Sequence, residues 1–241
     1  MRLIRFLASA GVASRRKCEA IVRSGRVEVN GETERDPFRI ISGENLIVID
    51  GEIIAVRAER TVFLLHKPAG VITTAEDTHG RKTVVDLISI TDRRLFPVGR
   101  LDKETTGVLL LTDDGDLAYR LTHPKFGVKK IYEATADRRL SQIEEELIAS
   151  GIDIGEGDIG RAQVIGQKSD DDGIRISLKL YHGKKREVRR IMKAVGIHLR
   201  HLHRSVFAGI TLGDLSVGES RPLSAVEARF LQGVPKSLGS L

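Results

Sequence analysis

No uninterrupted apolar run in this chain of 241 residues exceeds four residues, and one of these, Val108 to Leu111, stands between Thr106-Gly107 and the turn signal Asp113-Asp114-Gly115. A membrane-spanning helix needs about 20 predominantly apolar residues in succession, so the chain is expected to fold around short buried strands and one-sided helices, without a membrane. Strand signals recur at Val62 to Leu65, Leu95 to Val98, Val108 to Thr112, Lys130 to Thr135, Arg161 to Ile165, Ile174 to Leu180 and Leu199 to Ser205. Helical patterns occupy Thr83 to Ile88, Asp116 to Leu121, Ser141 to Ala149, Arg186 to Val195 and Ala225 to Leu231, and Ser141 with Glu144 and Ser224 with Glu227 have capping-box spacing. Because the order is irregular and not an alternation of strand and helix, it predicts an α+β fold, with a mixed, mostly antiparallel sheet and flanking helices.

The first sixty residues read as a unit of their own, a small α/β domain. Leu3, Ile4, Leu7 and Ala8 share one helical face, and Ser14 is placed to cap a second helix running to Ser24. Arg26 to Val29 is strand-like, and Asn30-Gly31 and Asp50-Gly51 are tight-turn signals around the apolar run Leu46 to Ile49. The charged stretch Arg57-Ala58-Glu59-Arg60 reads as a linker, giving domains 1–60 and 61–241.

Charge is concentrated where it can meet a polyanion. The net charge is +6, but Met1 to Arg26 carries Arg2, Arg5, Arg15, Arg16, Lys17, Arg23 and Arg26 against Glu19 alone. His182 to Arg204 carries Lys184, Lys185, Arg186, Arg189, Arg190, Lys193, Arg200 and Arg204 against Glu187 alone. A solvated helix face usually mixes signs; two single-sign patches point to nucleic acid. The one cysteine, Cys18, leaves no internal disulfide and no cysteine-built zinc site, which fits a reducing cytoplasm, and it reads as a small buried residue on a helix. The N-terminus resembles a signal peptide only briefly, since Arg5 interrupts its apolar region. His182, His198, His201 and His203 lack a carboxylate or cysteine at ligand spacing, so no metal is expected, and Asp170 to Gly173 reads as a surface turn.

The segment that carries chemistry is GRLDKETTGVLLLTDDG, Gly99 to Gly115, where Asp102 follows an arginine and precedes a strand. A carboxylate beside a fixed positive charge at a strand edge can serve as a held nucleophile, although loop aspartates more commonly shape turns. Further segments join it: HKPAGVITT, KKIYEA, and GKKREVRRIMKAVG followed by LRHLHR. Together these resemble the Rsu-type ribosomal RNA pseudouridine synthases, and RLIRFLASAGVASRRKCEAIVRSGRVEVNG resembles the small RNA-binding domain named after ribosomal protein S-four.

The resemblance implies a cofactor-free enzyme acting on ribosomal RNA, with Asp102 as the nucleophile. Tyr132 would stack on the target base and help remove its C5 proton, and Arg189 would pair with the carboxylate, Arg190 being the alternative. Adjacent helical residues point about 100° apart, so only one of the two is expected at Asp102. Arg100 would fill the space left by the flipped base. Arg2, Arg5, Arg15, Arg16, Lys17, Arg26, Lys184, Lys185, Arg186, Arg190 and Arg204 form the expected RNA-contact set. The pattern around DTHGRKTVVDL looks most like enzymes acting on large-subunit ribosomal RNA, and a monomer is expected. Two departures stand out: His66 replaces the usual asparagine, and Glu187, read as facing solvent, replaces a glutamine. The rivals are the same chemistry on small-subunit RNA and a non-catalytic RNA-binding ribosome-assembly factor, which would leave Asp102, Tyr132 and the arginine helix without a common purpose.

Overall fold

Two tight turns set the first part of the chain. In the computed structural model, which describes residues 1–89 and 92–234, Asn30 and Gly31 have φ of 55° and 85°, and Asp50 and Gly51 have 51° and 88°. Positive φ at both central residues is the hairpin turn whose twist matches that of strands, and Asn-Gly and Asp-Gly tolerate it best. They connect β1 (Val27–Val29) to β2 (Glu32–Glu34) and β3 (Ile47–Ile49) to β4 (Glu52–Ile53) in an antiparallel sheet ordered β2-β1-β3-β4. Helices α1 (Leu3–Ser9) and α2 (Arg15–Arg23) accompany it, and the Ser14 side chain caps α2 by accepting from the Lys17 amide at 3.3 Å. Leu3, Leu7, Cys18, Val22, Val27, Val29 and Ile47 make the core. Cys18 is wholly enclosed, and burial pushes its thiol pKa up.

The chain divides into two compact units, the first comprising Met1–Thr61 with residues 92–95 and Asp113–Gly115. The segment read as a linker is pinned within that unit. Arg57 pairs with Asp92 at 2.8 Å, Arg60 donates to the Ser9 carbonyl at 2.9 Å, and Arg93 bridges the Glu59 carbonyl and Asp113.

The second unit is built on an eight-stranded sheet. Its strands are β5 (Val62–Lys67), β6 (Phe96–Pro97), β7 (Thr106–Thr112), β8 (Lys130–Ala136), β11 (Gln163–Asp170), β12 (Gly173–Leu180), β13 (Leu199–Phe207) and β14 (Ser220–Pro222). A separate two-stranded ribbon pairs β9 (Ile152–Asp153) with β10 (Ile159–Gly160). The order is β11-β12-β8-β13-β7-β5-β14, with β6 on β7; among the described strands only β13 and β7 run parallel. Helices α3 (Gly115–Thr122), α4 (Gln142–Ser150), α5 (Glu187–Ala194) and α6 (Ala225–Gln232) complete the elements. Every residue of β7 is buried, as expected of a central strand covered on both faces.

Gly107 lets β7 and β13 meet: its φ is 108°, and a Cβ there would lie 2.2 Å from the Arg204 carbonyl oxygen. Two apolar cores flank this seam. Ile148 of α4 and Val188, Ile191 and Met192 of α5 pack against Ala134, Ile176, Leu178 and Leu202. Leu117 and Leu121 of α3 and Leu231 of α6 pack against Leu64, Val108, Leu110 and Phe207.

Several expected boundaries move for local reasons. Thr83 to Ile88 shortens to a 3₁₀ turn, Val85–Leu87, where the Asp86 carboxylate accepts from the Thr83 amide at 2.7 Å and the β-branched run Thr83-Val84-Val85 disfavours a helix. The strand expected over Leu95 to Val98 narrows to Phe96–Pro97, the proline lacking an amide for a ladder. β11 starts at Gln163, the preceding Ala162 amide donating to the Ile148 carbonyl at 3.3 Å in place of a ladder partner, and it continues through polar edge residues to the Asp170–Gly173 hairpin. β13 reaches Phe207 through irregularities after Leu199 and Arg204 that disguise its alternation.

Both expected capping boxes form, each with the serine hydroxyl and the glutamate carboxylate used reciprocally. Ser141→Ala, which removes the oxygen accepting from the Glu144 amide, is expected to cost about 1 kcal/mol, read as a lower urea midpoint at unchanged slope.

Candidate active site

A buried ammonium organises the loop that carries Asp102. Lys67 closes β5 with its side chain fully enclosed, and its Nζ donates to the carbonyls of Pro68, Lys103 and Thr105 at 2.9, 3.0 and 3.0 Å. Burial pushes its pKa down to about 8, against the opposing pull of Glu104 and Asp102. The Thr73 hydroxyl donates to the Leu101 carbonyl at 2.7 Å, and the Gly70 amide donates to the Lys103 carbonyl at 2.9 Å. The Thr105 amide returns to the Asp102 carbonyl at 3.0 Å, closing a tight turn at the entrance to β7. The loop is therefore held from both sides before Asp102 makes any contact of its own.

Two cations from the start of α5 face the Asp102 carboxylate. Arg189 Nε lies 3.7 Å and Arg186 Nη1 3.8 Å from its Oδ2, and the aspartate side chain is 31% exposed. Arg186 reaches this position from a left-handed backbone, φ 53°, at the residue preceding the helix. Arg189 Nη2 also donates to the Thr105 hydroxyl at 3.2 Å, and burial lowers its pKa against the raising effect of Asp102. Its Nε is buried without a hydrogen-bond partner, 3.7 Å from the carboxylate. The helix presents these side chains because Val188, Ile191 and Met192 anchor its other face in the core.

Arg190 points elsewhere, as the 100° rule requires. It pairs with Asp158 at 2.9 Å and donates to the Ile154 carbonyl at 2.8 Å. Lys184 shares Asp158, at 3.3 Å, and donates to the Ile159 carbonyl. Both side chains thus tie α5 and its leading loop to the β9–β10 ribbon, in place of the open phosphate contacts expected of them.

Asp102 lies in the wall of a cavity of about 150 Å³, whose lining includes Arg100, Tyr132, Leu202, Arg186 and Thr122. Tyr132 sits on β8 opposite Leu178 on one side and Arg204 on the other, half-buried against the apolar core. Arg100 is exposed at the rim, following Gly99 with φ 73°.

Arg204, expected as a surface contact, is a correction: it is 2% exposed, donates through Nε to the Val108 carbonyl at 2.8 Å and lies over the Phe207 ring. Glu187 is another, being buried and not solvent-facing, with its carboxylate accepting from the Lys184 amide at 2.9 Å. Lys130 also lines the cavity, and burial, with Arg204 adding to it, pushes its pKa down to about 8. Sequence reading missed Lys67, Lys130 and the proximity of Arg186 to Asp102. The available signal was a lysine ending a strand that opens on four apolar residues, directly before Pro68.

In the first unit Arg2, Arg5, Arg15, Arg16 and Lys17 are exposed on or beside α1 and α2, while Arg26 is paired with Asp50. In the second unit Lys185 is exposed. Among the described residues, no group of three or more His, Cys, Asp or Glu is placed to hold a metal ion. The histidines of β13 instead share a hydroxyl: Thr106 Oγ1 is 2.8 Å from His203 Nδ1 and 3.1 Å from His201 Nε2, with His66 edge-on to His203.

Burial, then His66, His201 and Arg175, pushes His203 down to about 4. An unfolded chain takes up a proton near pH 6.5 that the folded one refuses until about 4, so this contribution to stability is lost as pH falls through that interval. His203→Gln is accordingly expected to flatten the fall in urea midpoint between pH 7 and pH 5.

Known proteins carry the same two parts. A family model described as RNA pseudouridylate synthase matches residues 61–194, and a model of the S4 domain matches residues 1–47. The chain is 35% identical to ribosomal large subunit pseudouridine synthase B of Bacillus subtilis (strain 168), across 97% of this chain and 96% of that protein. It is 34% identical to an uncharacterized RNA pseudouridine synthase of Aquifex aeolicus (strain VF5), across 94% and 92% of the two chains. A solved structure described as a pseudouridylate synthase superposes with a TM-score of 0.67 at 28% identity, covering 96% of this chain and 99% of that one. With a matched catalytic-family region and full-length relatives on both measures, this chain belongs to the RNA pseudouridine synthase family.

Proposed function

We propose that this chain converts a uridine of large-subunit ribosomal RNA to pseudouridine, with Asp102 as the nucleophile. The observation that carries the proposal is the Asp102 carboxylate, facing Arg186 and Arg189 in the wall of a cavity that Tyr132 also lines. The net reaction is an isomerisation. The bond between ribose C1′ and base N1 breaks, a bond from C1′ to C5 forms, and the proton on C5 leaves while N1 gains one. No electron pair enters or leaves, so the chemistry asks for a nucleophile, a way to move one proton and a site that holds the detached base.

Asp102 supplies the nucleophile: if it attacks ribose C1′, the bond it makes is broken when C5 joins the ribose, and if it adds to base C6, that bond is broken by elimination after C5 has joined. Arg189 and Arg186 fix the direction of the carboxylate electrostatically. Tyr132 stacks on the base and its hydroxyl serves the proton transfer at C5. Extrusion of the uridine costs a few kcal/mol of lost stacking, which Arg100, at the rim, offsets by entering the vacated space. The exposed basic residues of α1 and α2 hold RNA phosphates and shape in a sequence-tolerant way.

The large subunit is proposed because the relative from Bacillus subtilis is named for it. Mapping pseudouridines in ribosomal RNA from cells lacking the gene tests the assignment. Loss of a large-subunit position is expected. Loss of a small-subunit position alone would move the substrate to the other RNA and leave the chemistry intact.

A further inference from the structure

Aromatic residues are scarce in this chain, which has three Tyr, seven Phe and no Trp, so an aromatic cluster left at the surface needs a reason. One such cluster lies at the end of α3 and in the 3₁₀ turn that follows, Pro124–Phe126. Tyr119 and His123 have ring centroids 4.9 Å apart, and Phe126 is 5.9 Å from Tyr119. Lys125 Nζ stands 5.2 Å from the Tyr119 ring centre and 4.8 Å from that of Phe126. Tyr119 is 47% exposed, and His123 and Lys125 are exposed as well.

Core packing does not account for the group, because α3 buries Leu117 and Leu121 while Tyr119 stays exposed. The arrangement is nevertheless fixed. His123 Nδ1 accepts from the Lys125 amide at 3.2 Å, Pro124 sets the start of the turn, and Gly127 ends it in a left-handed conformation. Phe126 packs part of its ring against the core beneath. The cluster also adjoins the cavity: Thr122, between Tyr119 and His123 in sequence, lines the cavity that holds Asp102, and the chain returns to it at Lys130.

An exposed set of rings with a lysine ammonium over it matches an unpaired base and its phosphate. Extruding a uridine for reaction breaks its stacks with both neighbours, and Arg100 in the vacated space replaces them only in part. We infer that Tyr119 and His123 form a stacking platform for a base flanking the target uridine, and that Lys125 swings from the rings to that nucleotide's phosphate. Stacking tolerates any base, so the platform reads the opened shape of the RNA and leaves sequence choice to other contacts. The inference rests on the assignment of the reacting uridine to the Asp102 cavity.

The test uses the full chain and an in vitro transcript of large-subunit ribosomal RNA, with binding measured at raised salt to weaken phosphate contacts. Tyr119→Ala and His123→Ala are each expected to weaken binding about ten-fold, the scale of one lost base stack, and Tyr119→Phe to restore it. Tyr119→Leu, which keeps apolar bulk without a ring, replaces the alanine variant if that protein melts early. Affinity unchanged in folded Tyr119→Leu and His123→Ala proteins overturns the platform. So does a defect confined to capture of ribosomal proteins, which would make the cluster a protein-docking surface. Asp102→Asn separates the two readings: it is expected to bind as the parent does and make no pseudouridine. Activity retained by Asp102→Asn would sink the assigned reaction centre without altering the affinities of the ring variants.

Discussion

Asp102→Asn is expected to bind ribosomal RNA with parental affinity and to lose pseudouridine formation by roughly 10³-fold or more, as happens when a covalent nucleophile is removed. The substitution is nearly isosteric, and the loop that carries residue 102 is held by Lys67, Thr73 and Thr105, none of which depends on the carboxylate. An amide cannot form and release the bond the reaction needs. Its loss leaves Arg186 and Arg189 without their anion, yet the position is partly exposed, so the melting midpoint is expected to move little. Pseudouridine content after digestion, alongside filter binding and thermal melting, checks all three. Arg189→Met is expected to give a smaller loss, because the carboxylate remains but loses one of its two orienting charges.

Lys67→Met is expected to abolish activity by a different route and to cost about 3 kcal/mol of stability. The methionine fills the volume but leaves the carbonyls of Pro68, Lys103 and Thr105 without their shared donor in a buried site. The loop between Leu101 and Thr105 would then have to find other partners, and Asp102 would move with it. The two variants are told apart by denaturation: urea midpoints should fall clearly for Lys67→Met and hardly at all for Asp102→Asn. An active and equally stable Lys67→Met protein would mean that this ammonium does not set the loop.

The contrast shows what a sequence can carry. The amphipathic helices, both capping boxes, the Asn-Gly and Asp-Gly hairpins and the mixed sheet follow from local chemistry, which acts over a few residues and is visible as spacing. The partnership of Asp102 with a helix almost ninety residues later was accessible only through resemblance, because nothing local links them. Within that helix, the 100° step between neighbours separates Arg189, at the carboxylate, from Arg190, at Asp158. Arg186, expected only as an RNA contact, reaches Asp102 through a left-handed backbone that sequence does not announce for an arginine.

Charged residues that the fold buries were the hardest to read. Lys67, Lys130, Glu187 and Arg204 are each less than one-tenth exposed. Composition treats them as surface, and only tertiary partners make their burial affordable: three carbonyls for Lys67, the Lys184 amide for Glu187 and the Val108 carbonyl for Arg204. The stretch Arg57 to Arg60 is likewise held by partners that sequence does not show, since Arg57, Arg60 and Glu59 find theirs more than thirty residues away.

The most direct measurement uses the purified chain and a large-subunit ribosomal RNA transcript labelled with tritium at uridine C5. Forming the bond from C1′ to C5 must expel that hydrogen to water. With Asp102 as the nucleophile, wild-type protein is expected to release about one tritium per transcript, as a single target uridine requires, and Asp102→Asn none above background. Equal release from both proteins would contradict that role for Asp102.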